Sequence, residues 1–71
     1  MTQLGKYLMA KSVNKSKVSQ KTGLSKARLS ELTLKESAKL RADELYLIAK
    51  AIDVSPCDLL NFICGHLELR K

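Results

Sequence analysis

Apolar residues recur at helical spacing in five stretches of this chain, and most are opened or closed by a residue with a physical reason to stand there. Leu4, Tyr7 and Leu8 fall at i, i+3 and i+4 behind Thr2, whose hydroxyl can cap a first turn. Lys11 continues that face and can lay its stem along it while the amine stays in water. This predicts a helix over about residues 3–11. Asn14 can cap a second helix over about residues 15–22, with Val18 and Thr22 as a narrow inner face and the small Ser19 beside them. Gly23 then supplies the positive-φ residue that ends it. Ser25 can cap a third helix over about residues 26–34, with Leu29 and Leu32 inward and Leu24 stapling the turn from outside.

Leu45, Ile48, Ala49 and Ile52 repeat at i, i+3, i+4 and i+7, the clearest period in the chain, and predict a fourth helix over about residues 42–52. The run Asp53-Val54-Ser55-Pro56-Cys57-Asp58 joins a breaker, a serine cap, a proline at the first helical position and an acid beyond it. A fifth helix over about residues 56–64 follows, closed by Gly65. His66-Leu67-Glu68-Leu69-Arg70 alternates apolar and polar residues and permits a short strand. The sequence offers no strand pair, repeat or low-complexity segment. The expected fold class is therefore all-α: a compact five-helix domain over residues 1–65, followed by a tail over residues 66–71.

Composition narrows what such a domain can do. Seventy-one residues leave little room for an elaborate catalytic cleft or a second domain. No apolar run approaches the roughly 18 residues of a membrane span and no secretory pattern follows the N-terminus, so the expectation is a cytoplasmic protein with no membrane partner. Cys57 and Cys64 lie seven apart on one predicted helix, roughly 10 Å between Cα atoms, too far for a disulfide. They read as reduced core thiols. With His66 they lack a fourth ligand and any usual finger spacing, so no metal or other cofactor is expected. One histidine, no Gly-rich phosphate loop and no nucleophile, base and acid arrangement give no support for an enzyme or a small-molecule substrate.

Charge points to a partner. The chain carries 13 Lys or Arg against 7 Asp or Glu, a formal net charge of +6, and no acid precedes Glu31. Lys6, Lys11, Lys15, Lys17, Lys21, Lys26 and Arg28 thus stand uncompensated in the first 30 residues, a one-sided positive field suited to polyanions. The predicted second and third helices lie in that segment. Val18, Leu24 and Leu29 fill the wedge between them, Ser19 allows close approach and Gly23 turns the chain, which is helix-turn-helix geometry. Its use is to lay the second helix of the pair in a major groove. With Leu29 and Leu32 inward, Ala27 and Glu31 point outward and Lys26, Arg28 and Ser30 flank them. An αα-hairpin that merely packs on a core would share the turn, but not the coincidence with the acid-free segment.

Residues Val13 to Ser30, with Leu45 to Ser55 and then Leu59-Leu60, resemble the Cro and phage-repressor type helix-turn-helix proteins, also called the xenobiotic-response-element family. The resemblance covers about residues 2–64, with both blocks in family order and spacing. It implies a compact, lambda-repressor-like five-helix domain that binds double-stranded operator DNA, usually as a symmetric homodimer, and regulates transcription. Asn14 and Lys15 match the family's backbone-contacting positions; Lys26, Ala27 and Glu31 match its base-contacting positions, with Arg28 beside them. Lys17, Ser25, Ser30 and Lys35 complete the candidate backbone contacts. In chemical terms Lys26 or Arg28 can donate to guanine, the Ala27 methyl can meet a thymine methyl, and Glu31 can accept from cytosine. Glu31 can equally pair with Arg28 at i, i+3 and touch no base. Lys15 stands where glutamine is common, Ser19 where alanine is usual, and Leu34-Lys35 replaces the glycine often found after the third helix. Arg41 is expected to pair with Asp43 or Glu44 rather than reach phosphate.

Phe62, Ile63, Leu67 and Leu69 are more apolar surface than so short a chain buries alone once Leu59 and Leu60 fill the core, and they are the expected dimer interface. The rival function is a protein interaction module of the antitoxin type, in which Leu59 and that same surface bind another chain. RNA binding is disfavoured because Tyr7, Tyr46 and Phe62 form no stacking platform.

Overall fold

Five helices make up the regular structure of residues 1–70, the residues that the computed structural model of the chain describes: α1 (Gln3–Ala10), α2 (Lys15–Thr22), α3 (Lys26–Leu34), α4 (Ala42–Ala51) and α5 (Pro56–Cys64). Lys71, the end of the expected tail, lies outside the described residues. α1 packs on α3 and α5, α2 on α3 and α4, and α4 on α5. Their shared core is Leu4, Leu8, Val18, Leu29, Leu32, Leu45, Ile48, Ala49 and Leu59, drawn from every helix. Leu29, Ile48 and Leu59 are fully enclosed, each worth about 1.5–3 kcal/mol against exposure.

The caps explain where the helices begin. The Thr2 hydroxyl accepts the Gly5 N–H at 3.0 Å, the Asn14 carbonyl oxygen accepts those of Ser16 and Lys17 at 2.8 and 3.3 Å, and the Ser25 hydroxyl accepts that of Arg28 at 3.0 Å. Ser55 makes no such bond. The start of α5 rests instead on the fixed φ of Pro56 and on the acid Asp58 in the first turn.

α1 and α4 each stop one residue before the expected end, and by the same device. Ser12 (φ 54°) and Asp53 (φ 58°) turn left-handed. Val13 N–H then reaches back to Leu8 O and Ser12 N–H to Met9 O, while Val54 N–H reaches Ala49 O and Asp53 N–H reaches Lys50 O. This is the Schellman pattern, completed in both helices by a valine packed on the core. Neither turn uses glycine. Replacing Ser12 by Gly relieves the left-handed penalty and is expected to raise stability by about 0.5–1 kcal/mol in urea denaturation; Asp53→Gly gains less, because Asp tolerates this conformation.

Three further expectations change. Leu60 is exposed rather than core, because Leu59 alone of that pair faces inward. Ile63, expected at a dimer interface, packs on the core of its own chain. Cys57 is an exposed thiol and Cys64 a half-buried one, so neither is enclosed in the core. Among the described residues the tail forms no strand, and Leu67 N–H closes a turn onto Cys64 O. Among the described residues no helix is long and apolar enough to cross a membrane.

Candidate nucleic-acid interface

The corner between α2 and α3 is tied by hydroxyls. Gly23 adopts φ 79° and its N–H caps Ser19 O at 2.9 Å. The Ser19 hydroxyl donates to Leu24 O at 2.6 Å, while the Thr22 hydroxyl donates to Val18 O and accepts the Leu24 N–H. Serine at position 19 therefore does more than keep the crossing close: it pins the residue that stoppers the turn. Val18 and Leu29 are buried in the wedge and Leu24 packs against them, so the corner is rigid from both sides.

Outside the wedge, Lys26, Ala27 and Glu31 are exposed along α3, and Ser30 is half-buried at the flank. Asn14, Lys15 and Lys17 are exposed at the start of α2, as is Ser25 before α3 and Lys35 just after it. The first turns of α2 and α3 hold no acid, although carboxylates are favoured at the positive end of a helix. Lysines stand there instead. α4 and α5 do carry acids in their first turns, Asp43 and Glu44 in one and Asp58 in the other. The starts of α2 and α3 thus each present cations and peptide dipoles toward solvent with no acid beside them, an arrangement suited to anions. The Asn14 oxygen is used in capping, which leaves its amide nitrogen to donate outward.

Arg28 departs from the role expected of it. Its Nε and Nη2 donate to the two carboxylate oxygens of Glu44 at 2.8 and 3.0 Å, and Nη2 also donates to Lys39 O at 2.8 Å. Glu44 is 2% exposed, so α3 is joined to the first turn of α4 by a largely buried bidentate pair that also holds the intervening loop. Its Nε and Nη2 are thus engaged by a carboxylate and a carbonyl of the chain itself. Glu31 approaches the same guanidinium at 3.6 Å. The hydrogen bonds from Arg28 hold the Glu44 carboxyl below the ordinary glutamate value of 4.5, against the opposing effect of burial and with help from the Arg41 N–H. The same pairing raises Arg28 above its ordinary value. Arg41 lies 3.5 Å from Asp43 and 3.7 Å from Glu44, the local pairing expected of it.

Sequence reasoning missed what holds the far end of α3. Thr2 donates its N–H to Thr33 O at 3.0 Å and its hydroxyl to Leu32 O at 2.7 Å, so the start of α1 satisfies two of the last carbonyls of α3. Lys15 Nζ donates to the buried Thr33 hydroxyl at 3.1 Å. Gly5 makes the approach possible, since a Cβ there would overlap Thr33 O. A glycine inside a helix was the available signal.

The family model described as the Cro/C1-type HTH DNA-binding domain matches residues 3–65 of this chain. No curated protein and no solved structure matches it.

Proposed function

The chain belongs to the Cro/C1-type helix-turn-helix DNA-binding family, and on that premise we propose that it is a repressor that reads a double-stranded operator with α3 in the major groove. The carrying observation is the pair of acid-free, lysine-bearing helix starts beside the exposed face of Lys26, Ala27 and Glu31. Asn14, Lys15, Lys17, Ser25, Ser30 and Lys35 take phosphates. Lys26 donates to a base edge, Ala27 packs on a thymine methyl, and Arg28 serves as a positioning residue. The DNA-binding unit is residues 1–65, acting in the cytoplasm.

A homodimer is part of this reading. Phe62 is 47% exposed, Leu67 65% and Leu69 95%, whereas Ile63 packs on the core of its own chain. Tyr7 meets Phe62 edge-on at 5.0 Å centroid distance and extends the patch onto α1. A two-fold pairing there sets two copies of α3 about 34 Å apart, one turn of B-DNA. An antitoxin-type partner would use the same patch.

Selection of duplexes from a random pool, followed by footprinting, tests the proposal. A pseudo-palindromic site protected in two half-sites is expected; a single asymmetric half-site, or no selected sequence, overturns it. On the selected site Lys26→Ala costs about 1–3 kcal/mol and far less on random DNA, whereas Lys15→Glu weakens both and flattens the salt dependence.

A further inference from the structure

We propose that the hollow between α1, the start of α2 and the end of α3 binds a small amphipathic monocarboxylate, with Lys15 as its counter-ion. The hollow measures about 410 Å³, within the range of small-molecule sites, and is walled by Met1, Met9, Val13 and Leu34, with Ser12, Lys15 and Thr33 as polar groups. Three of its walls are large apolar side chains left in water: Met1 is 48% exposed, Met9 65% and Leu34 56%. An apolar wall left in water beside a concave floor gains from an occupant. Flexible methionines adapt to an alkyl chain without a fixed shape.

Charge selects the head group. The Lys15 ammonium has a neutral partner, the Thr33 hydroxyl, and among the described residues no carboxylate lies within ion-pair distance of it. The Thr33 hydroxyl spends its proton on Leu29 O at 3.0 Å, so it accepts from Lys15 and has no proton to offer a ligand. Two ammonium protons of Lys15 remain, a match for the two oxygens of one carboxylate. An alkyl chain along Met9 and Leu34 with its carboxylate on Lys15 satisfies both halves of the site at once. The consequence for DNA rests on the reading of Lys15 as a phosphate contact: the carboxylate neutralises that cation and binding to DNA weakens.

Octanoate is the probe, titrated into the uniformly labelled protein without DNA and followed by amide shifts. The expected result is saturable movement of Val13, Thr33 and Leu34 amides, with octanol binding about tenfold more weakly and Lys15→Met abolishing that difference. Leu34→Ser, at an exposed position that leaves the fold intact, removes binding of both. No saturable shift, shifts centred elsewhere, or equal affinity for octanol and octanoate overturns the site. A DNA titration with and without octanoate then separates the two readings. Weakening in the parent but not in Lys15→Met supports the regulatory consequence, and unchanged DNA affinity overturns that consequence while the ligand site stands.

Discussion

Replacing Arg28 by Ala is expected to lower stability at neutral pH and to flatten its pH dependence between pH 7 and pH 4. In the native protein the Glu44 carboxylate is all but enclosed and takes two bonds from Arg28 and one from the Arg41 N–H at 2.9 Å. These bonds hold its pKa below 4.5 in the folded state. A depressed folded value contributes stability that is fully present above the unfolded pKa and is lost as pH falls through the folded one. The native protein therefore weakens below about pH 4.5. Without Arg28 the largest influence holding the Glu44 pKa down is gone while burial still raises it, so the folded value moves up toward the unfolded one and the stability that ionisation supplied at pH 7 is lost. The carboxylate loses its strongest partner, and part of that loss is recovered as acid neutralises it. Urea midpoints at pH 7 and pH 4 check the claim: the deficit of Arg28→Ala shrinks at pH 4, and a deficit equal at both values would show that Glu44 is not the group at stake. Glu44→Gln, which keeps the shape and removes the charge, loses less at pH 7 and likewise lacks the native slope.

The same variant discriminates two roles in DNA binding. A side chain that reads a base changes which base is preferred when it is removed. A side chain that holds α3 against α4 lowers affinity for every duplex and leaves the preferred sequence alone. Arg28→Ala follows the second pattern and Lys26→Ala the first.

What could be read from the sequence was whatever depended on neighbours in the chain. The i, i+3, i+4 spacing around Ile48, the Asn14 and Ser25 caps and the left-handed Gly23 are local, and they located the helix pair and its outward face before any tertiary contact was known. Arg28 lay outside that reach because its partner is 16 residues away on another helix. From the third helix alone its charge and position suit a base edge. Glu44 looked like an ordinary acid at a helix start, since a carboxylate there is favourable whether or not it is buried. The helix ends before Ser12 and Asp53 were placed to within one residue, but that both close in paired Schellman turns through a left-handed serine and aspartate emerges only from the backbone. The anchoring of α3 by Thr2 joins residues 30 positions apart and was equally out of range.

That anchor supplies the other large effect, Gly5→Ala. In an open helix this change stabilises by about 1 kcal/mol, because alanine restrains the unfolded chain and suits the helix. Here the sign is expected to reverse. The new methyl overlaps the Thr33 carbonyl oxygen, which is backbone and cannot rotate aside, and it also meets Met1 Cγ, which can. α1 must therefore tilt away from α3, loosening the bonds from Thr2 to Leu32 O and Thr33 O and disturbing the contacts of Leu4 and Leu8 with the core. Overpacking of this kind costs about 1–3 kcal/mol, more than the helical gain returns. The consequence reaches DNA because α3 is held at two ends, by Ser25 and the hydroxyl-tied turn at its start and by Thr2 at its finish. Releasing the finish lets the helix fray toward Glu31, so affinity for the operator falls further than the unfolded fraction accounts for. Urea denaturation gives the stability change, and operator titration at a temperature where the variant is fully folded gives the rest. A Gly5→Ala protein more stable than the parent would mean that α1 and α3 do not approach as closely as the Thr2 bonds require.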